Sequence, residues 1–101
     1  MSEHEMKKAN ETKQDEVLHL MFFYTPRSPN SVQSLHKLQH FAAGCGRPVR
    51  LELIDVQKQP SATLEYKVFV TPYLIRVSPT PELRIAGSIT EYELDNLFDQ
   101  G

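Results

Sequence analysis

Cysteine is almost absent from this sequence, which holds a single thiol, Cys45, in 101 residues. One thiol cannot form an internal disulfide, so oxidative cross-linking contributes nothing to the fold. Disulfide exchange needs a pair of thiols, so dithiol chemistry is excluded as well. Cys45 lies between Gly44 and Gly46 in a predicted loop, with no nearby histidine or helix N-terminus to stabilise a thiolate. We therefore interpret it as an incidental free thiol rather than a nucleophile.

Positive charge and long apolar runs are also scarce. The formal net charge is -2 at pH 7, whereas general nucleic-acid binders gather a surplus of lysine and arginine on one face. No stretch approaches the roughly 20 apolar residues of a membrane span. The N-terminal sequence MSEHEMKKANETKQDE also has no apolar centre of the kind found in secretory signals. We therefore expect a cytoplasmic protein that binds neither nucleic acid nor membranes.

The length and composition are those of one globular domain. A composition of 40% hydrophobic and 24% charged residues is ordinary for a folded chain. Residues 1–16 mix acidic and basic side chains with almost nothing apolar, so they cannot bury enough surface to offset the entropy of ordering. We predict a flexible charged tail over residues 1–16 and one folded domain over residues 17–101.

The first part of the domain predicts a strand followed by a helix. The sequence VLHLMFFY, residues 17–24, is nearly all apolar, which is typical of a central strand covered on both faces. His19 interrupts it, and we interpret this histidine as a satisfied strand residue, because no second ligand lies at a metal-binding spacing. Ser28 and Pro29 predict the N-cap and first residue of a helix. The apolar face of that helix consists of Val32, Leu35, Leu38, Phe41 and Ala42.

A second strand and a second helix follow. Val49, Leu51 and Leu53 alternate with polar residues, which predicts a strand at an edge of the sheet. Pro60 can begin a helix that runs to about Lys67. β-branched and aromatic residues near its end also favour extended structure. The positions that we expect to be buried are Ala62, Leu64 and either Val68 or Phe69.

The last third predicts a hairpin and a final helix. Residues 73–77 and 83–85 flank the turn SPTPE and form an antiparallel pair. Thr90 and Glu93 have the spacing of a capping box. The apolar stripe of the helix is expected to consist of Ile89, Leu94, Leu97 and Phe98. The resulting order is β-α-β-α-β-β-α with a mixed four-stranded sheet, which is the thioredoxin-like α/β fold if the crossover is right-handed.

Two positions in that fold normally carry redox chemistry: a Cys-x-x-Cys pair opening the first helix, and a cis-proline before the third strand. Thr71 and Pro72 occupy the second position, and we predict a cis peptide there. The first position reads TPRSPNS and has no thiol. A hydroxyl of Ser28 or Tyr24 could instead activate a thiol cofactor, as in some glutathione transferases. We disfavour this alternative because those enzymes need a helical second domain.

Several of these residues resemble the KaiB clock-protein family. The stretch DVQKQP, residues 55–60, is followed by Lys67 and Thr71-Pro72, and resembles the family's D-V-x-K-x-P … K-x-x-x-T-P pattern. SPNSV, residues 28–32, is similar to the family's T-P-N-S-V at the start of the first helix. The resemblance covers most of the predicted domain.

This resemblance implies a non-catalytic module that binds a KaiC-like hexameric ATPase in circadian or environmental signalling, with no cofactor. In the family the second helix lies at the surface facing KaiC, and Lys58 and Lys67 bracket that helix here. Their charges would speed encounter with an acidic partner, although both also fit as ordinary solvated helix-end lysines. The predicted partner-binding residues are Arg50, Glu52, Lys58, Glu65 and Lys67.

The resemblance further implies a change of fold. KaiB proteins rest as oligomers in one topology and bind partners as thioredoxin-like monomers, whereas the N-terminal domain of the SasA sensor kinase keeps the thioredoxin-like form. Mixed local preferences after Pro60 favour a second packing of the C-terminal half. The capping box at Thr90 and Glu93 contributes about 1–2 kcal/mol to the thioredoxin-like form.

One segment departs from the family pattern. The family's Gly-Asp-Leu-Ser before the last helix is replaced by GSIT, residues 87–90, which indicates a divergent member outside a standard oscillator. Two alternatives stay open. The first is a thioredoxin- or glutathione-type enzyme without Cys-x-x-Cys, and the second is a stable SasA-like adaptor domain.

Overall fold

The computed structural model describes residues 17–99. Within them the helices and strands follow the predicted order, β-α-β-α-β-β-α. The tail predicted over residues 1–16 lies outside the described residues. The elements are β1 (Leu18–Tyr24), α1 (Pro29–Gly44), β2 (Val49–Asp55), α2 (Pro60–Tyr66), β3 (Tyr73–Ser78), β4 (Leu83–Ala86) and α3 (Glu91–Asp99).

The strands form one mixed four-stranded sheet in the order β2-β1-β3-β4. β1 is parallel to β2 and antiparallel to β3, and β4 is antiparallel to β3. Parallel neighbours need a crossover between them, and α1 provides it. The positions of β1 inside the sheet and of β2 at its edge are those that their apolar patterns predicted.

The side chains of β1 divide the core into two layers. Leu18, Leu20 and Phe22 belong to a buried cluster with residues of α1 and α3. Met21 and Phe23 belong to a second cluster, against which α2 packs. Because successive side chains of a strand point to opposite faces, a strand covered on both faces has the unbroken apolar run seen in the sequence.

The start of α1 agrees with its sequence signals. Ser28 is the N-cap, and its Oγ accepts a hydrogen bond from the N–H of Ser31 at 3.3 Å, with Pro29 in the first turn. Ser31 and Ser34 are buried. The Oγ of Ser31 also accepts a hydrogen bond from the N–H of Thr25 at 3.2 Å. The buried hydroxyl of Ser31 therefore connects α1 to the preceding turn.

The predicted capping box forms at the start of α3. The N–H of Glu93 donates to Thr90 Oγ1 at 3.1 Å, and the N–H of Thr90 donates to Glu93 Oε1 at 3.0 Å. Ile89, Leu94 and Leu97 are buried, as expected. The side chain of Phe98, the fourth residue of the predicted stripe, lies outside the described part of the chain.

α2 turns a different face to the core than its sequence predicts. We expect Leu64 to be buried, but it is 75% exposed, so this prediction is wrong. The helix ends at Tyr66 because Lys67 adopts a left-handed backbone conformation with φ 59° and redirects the chain. Val68 then enters the core with 4% exposure, while Phe69 is 81% exposed.

The peptide bond between Thr71 and Pro72 is cis, as predicted, and the SPTPE turn holds two further cis bonds, at Pro79 and Pro81.

Across residues 17–99 no helix combines the length and apolarity that crossing a membrane requires.

Candidate protein-interaction surface

The turn between β1 and α1 lies against the cis-proline segment. The hydroxyl oxygens of Thr25 and Thr71 are 2.7 Å apart. Activation of a hydroxyl as a nucleophile needs an adjacent general base. The hydroxyl partner of Thr25 is another hydroxyl, and the Oγ of Ser28 is occupied by the cap of α1. The geometry of this turn therefore supports packing rather than chemistry.

Cys45 lies at the opposite end of α1 from this turn. Its Sγ donates weak hydrogen bonds to the carbonyls of Ala42 at 3.4 Å and Arg47 at 3.6 Å, and it packs against the first core cluster. The described part of the chain also contains no group of three or more His, Cys, Asp or Glu residues that could hold a metal ion.

Arg50 and Glu52, two of the predicted partner-binding residues, lie on the edge strand β2. Glu52 is opposite Met21, which belongs to the core cluster beneath α2, so both residues lie on the α2 side of the sheet. Glu52 Oε2 is hydrogen-bonded to His19 Nε2 and lies 3.3 Å from Nη2 of Arg50. His19 is thus a satisfied strand residue, as interpreted from the sequence. Exposed ion pairs contribute about 0–1 kcal/mol, so a partner's charges could replace this one at little cost.

The other three predicted residues are all exposed. Glu65 lies within α2, and Lys58 and Lys67 lie on either side of the helix. Lys58 lies in the turn before the helix, and Lys67 directly follows its last residue. A helix of seven residues is about 10 Å long. The two ammonium groups therefore flank one short helix, while their role in binding stays a prediction.

Sequence reasoning missed the apolar part of this region. Leu64, Phe69 and Val70 are 75%, 81% and 51% exposed. Phe69 and Val70 line one groove, and exposed apolar side chains that lie together mark interaction sites, unlike those that occur singly. In the run VFV, residues 68–70, only Val68 is buried. The sequence holds no signal that distinguishes this run from the buried apolar run of β1. The open groove has a volume of about 320 Å³ and is lined by Val56, Thr63, Val68, Phe69, Val70 and Thr71.

The exposed charged and apolar residues around α2 form one candidate site. We call it the helix-α2 surface, and it consists of Lys58, Leu64, Glu65, Lys67, Phe69 and Val70.

Arg84 of β4 forms a hydrogen bond with the last residue of α2 and so stabilises the helix-α2 surface. Its Nη1 donates to the carbonyl of Tyr66 at 2.8 Å, and its Nε donates to Glu82 Oε2 at 2.6 Å. The hydrogen bond to Glu82 raises the pKa of Arg84, and the guanidinium lies 5.9 Å from the centre of the Tyr73 ring. The ring of Tyr66 packs against Phe23, with 5.9 Å between ring centres. The end of α2 is therefore held both by β4 and by the core.

Residues 21–100 match the family model of the KaiB domain. The chain belongs to the KaiB family. A circadian clock oscillator protein KaiB of Prochlorococcus marinus is 34% identical, over 80% of this chain and 83% of that protein. The resemblance found in the motifs around Lys58 and Pro72 is thus confirmed.

Solved structures confirm the thioredoxin-like fold. Thioredoxin 1 from Thermosipho africanus superposes with a TM-score of 0.70 at 24% identity, over 81% of this chain and 91% of that one. The N-terminal domain of SasA from Synechococcus elongatus superposes with a TM-score of 0.62 at 25% identity, over 84% of this chain and 75% of that one. The likeness to thioredoxin concerns the fold alone.

Membership of the KaiB family determines the class of function. KaiB proteins are clock regulators and not enzymes, so this chain is a non-catalytic regulatory protein. The alternative of a thioredoxin- or glutathione-type enzyme is set aside.

Proposed function

We propose that this KaiB-family protein binds a KaiC-like hexameric ATPase through the helix-α2 surface, in circadian or environmental signalling. The observation that supports this most strongly is Phe69, an aromatic side chain with 81% exposure beside the exposed Val70. Aromatic residues are enriched at the centres of protein interfaces. Lys58 and Lys67 lie at the two ends of the adjacent helix, where they can meet acidic groups of a partner.

The apolar and charged members of the surface would act differently. Burial of an exposed Phe or Leu side chain contributes about 1.5–3 kcal/mol, so Phe69 and Leu64 would provide affinity. Charged side chains act mainly on the rate of encounter and on specificity. Arg50 and Glu52, on the same side of the sheet, would lie at the rim of the contact. The proposal places the protein in the cytoplasm and allows a homo-oligomer at rest.

A Phe69→Ala variant tests the surface. We expect its dissociation constant for a KaiC-like hexamer, measured by isothermal titration calorimetry, to rise at least about tenfold, which corresponds to about 1.4 kcal/mol. Tyr92→Ala is the matched control, because it removes an aromatic ring of comparable exposure, 75%, from α3.

Tyr92→Ala should bind like the wild type. An equal loss in both variants, or none in Phe69→Ala, would contradict the assigned surface. A wild-type chain that binds no KaiC-like ATPase would contradict the assigned partner.

The likeness to the SasA domain supports a second candidate, a stable adaptor that keeps the thioredoxin-like form. Backbone NMR shifts of residues 60–100, together with light scattering over a range of concentrations, distinguish the two. A monomer with one set of α-β-β-α shifts indicates the adaptor. A second set of shifts or a concentration-dependent oligomer indicates a protein that changes fold.

A further inference from the structure

The junction between β4 and α3 is held by two side chains of α1. Ser34 Oγ accepts a hydrogen bond from the N–H of Ile89 at 3.1 Å, and Lys37 Nζ donates to the carbonyl of Ile89 at 3.1 Å. Ser34 is 2% exposed and Ile89 is 1% exposed. Both backbone groups of one buried residue are therefore satisfied by a helix that lies more than 50 residues earlier in the chain.

The other end of α3 is held by a buried arginine of β3. Arg76 is 0% exposed. Its Nη1 donates to the carbonyl of Leu97 in the last turns of α3, and its Nη2 donates to the carbonyl of Pro81 in the β3–β4 turn, both at 2.9 Å. A cation at the C-terminal end of a helix is also favoured by the helix dipole. One guanidinium thus connects the last helix to the hairpin.

These contacts depend on position more sharply than apolar packing does. A hydrogen bond weakens steeply when its length or angle departs from the narrow preferred range. A buried polar group that loses its partner carries the full cost of desolvation. Ser34, the two Nη atoms of Arg76 and the Ile89 backbone all have hydrogen-bond partners when α3 lies in this position. Another packing of the C-terminal half would have to provide new partners for all of these groups.

We propose that the Ser34–Ile89–Lys37 contact and Arg76 form a two-ended clamp that locks the hairpin and α3 in the thioredoxin-like arrangement. β4 connects this clamp to the helix-α2 surface, because Arg84 of β4 donates to the carbonyl of Tyr66. The clamp therefore keeps the end of α2 in place, and the surface stays in position, while residues 73–99 have the thioredoxin-like arrangement. This last consequence rests on the proposed function, whereas the clamp itself does not.

Native-state amide hydrogen exchange on the full chain, without any partner, tests the clamp. In Ser34→Ala and in Lys37→Met we expect the amides of residues 91–97 to exchange about tenfold faster. The amides of residues 20–23 in β1 should keep their wild-type rates. Ser61→Ala and Gln33→Met are controls, since both residues are exposed on helix surfaces, and should leave both sets of amides unchanged.

Equal acceleration of α3 and β1 would overturn the clamp, because it would show only a general loss of stability. Unchanged exchange in α3 would overturn it as well. Lys37 is half-buried, so Lys37→Met keeps the test decisive even if Ser34→Ala fails to fold. Arg76→Lys examines the other end, since one ammonium group cannot reproduce a guanidinium that reaches two carbonyls, and it should again speed α3 selectively.

The clamp and the binding proposal can fail separately. Faster exchange in α3 alone, combined with no binding to a KaiC-like hexamer, would support the clamp and contradict the proposed partner. If both hold, Lys37→Met should weaken binding in proportion to the fraction of molecules in which α3 is released. Wild-type affinity in a variant whose α3 amides have lost their protection altogether, so that α3 is released in most molecules, would show that the surface does not depend on the clamp.

Discussion

At the scale of single residues, side-chain hydroxyls form many of the hydrogen bonds that fix the backbone locally. Ser28 and Thr90 cap the starts of α1 and α3, while Ser31 and Ser34 accept hydrogen bonds from backbone amides inside the core. A hydroxyl is short and can both donate and accept. It therefore satisfies a backbone N–H where a longer side chain would not fit, and its removal has a local cost.

Thr90→Ala should lower the melting temperature by about 4–8 °C, because loss of an N-cap costs about 1 kcal/mol in a domain of this size. Thermal unfolding followed by circular dichroism measures the change. Thr80→Ala, at an exposed position in the hairpin turn, should melt like the wild type. A melting temperature that is unaffected by Thr90→Ala would mean that the capping box does not stabilise α3.

At the scale of elements, α2 determines which side chains a partner meets. It is only seven residues long, and none of them is fully buried. Helices shorter than about 12 residues are marginal by themselves, so α2 depends on the half-buried Ala62 and Tyr66 and on the contact from Arg84. Because so little of α2 is needed for the core, its outer face is left for binding.

The orientation of α2 predicts that removing a leucine from this helix costs far less stability than removing a leucine from the core. Leu38→Ala in α1 should lower the free energy of unfolding by about 2–5 kcal/mol, because it opens a cavity in the core. Leu64→Ala should change it by at most about 0.5 kcal/mol, because that side chain is 75% exposed. Urea denaturation provides both values. A cost in Leu64→Ala similar to that in Leu38→Ala would show that α2 turns its other face inward.

At the scale of the whole molecule, local charge and net charge have opposite signs. The chain carries a formal net charge of -2, yet α2 has Lys58 and Lys67 at its ends. Exposed charges are screened beyond about 8 Å at physiological ionic strength. A partner that approaches α2 would therefore feel mainly the nearby lysines rather than the net charge.

Two double variants with the same net charge separate these effects. Lys58→Gln/Lys67→Gln removes two positive charges, and Gln33→Glu/Gln39→Glu adds two negative charges on the exposed side of α1. We expect the lysine variant to bind the KaiC-like hexamer with an association rate constant lowered by roughly threefold to tenfold at low salt, and by less at high salt. Stopped-flow measurement gives the rates. If both variants slowed association equally, net charge rather than the helix-α2 surface would steer the encounter.

The sequence by itself determined the order and type of the elements. The unbroken apolar run of β1, the Ser28 cap of α1 and the capping box of Thr90 and Glu93 are local signals, because each is read within a few neighbouring residues. The motif from Asp55 to Pro72 also carried the resemblance to KaiB. These signals sufficed for the fold. The resemblance also supplied the charged residues of the candidate site, whose role in binding stays a prediction.

Only the tertiary structure decided which face of α2 is buried and what holds α3. A seven-residue helix has too few turns for its apolar spacing to specify which face is buried, so the exposure of Leu64 could not be predicted. The exposure of Phe69 depends on the left-handed backbone of Lys67, which redirects the chain after the helix. Ser34 and Lys37 meet Ile89 across 55 and 52 residues of sequence. Hydrogen bonds between such distant residues leave no periodic trace in the sequence, because they depend on where the folded sheet brings the helices together.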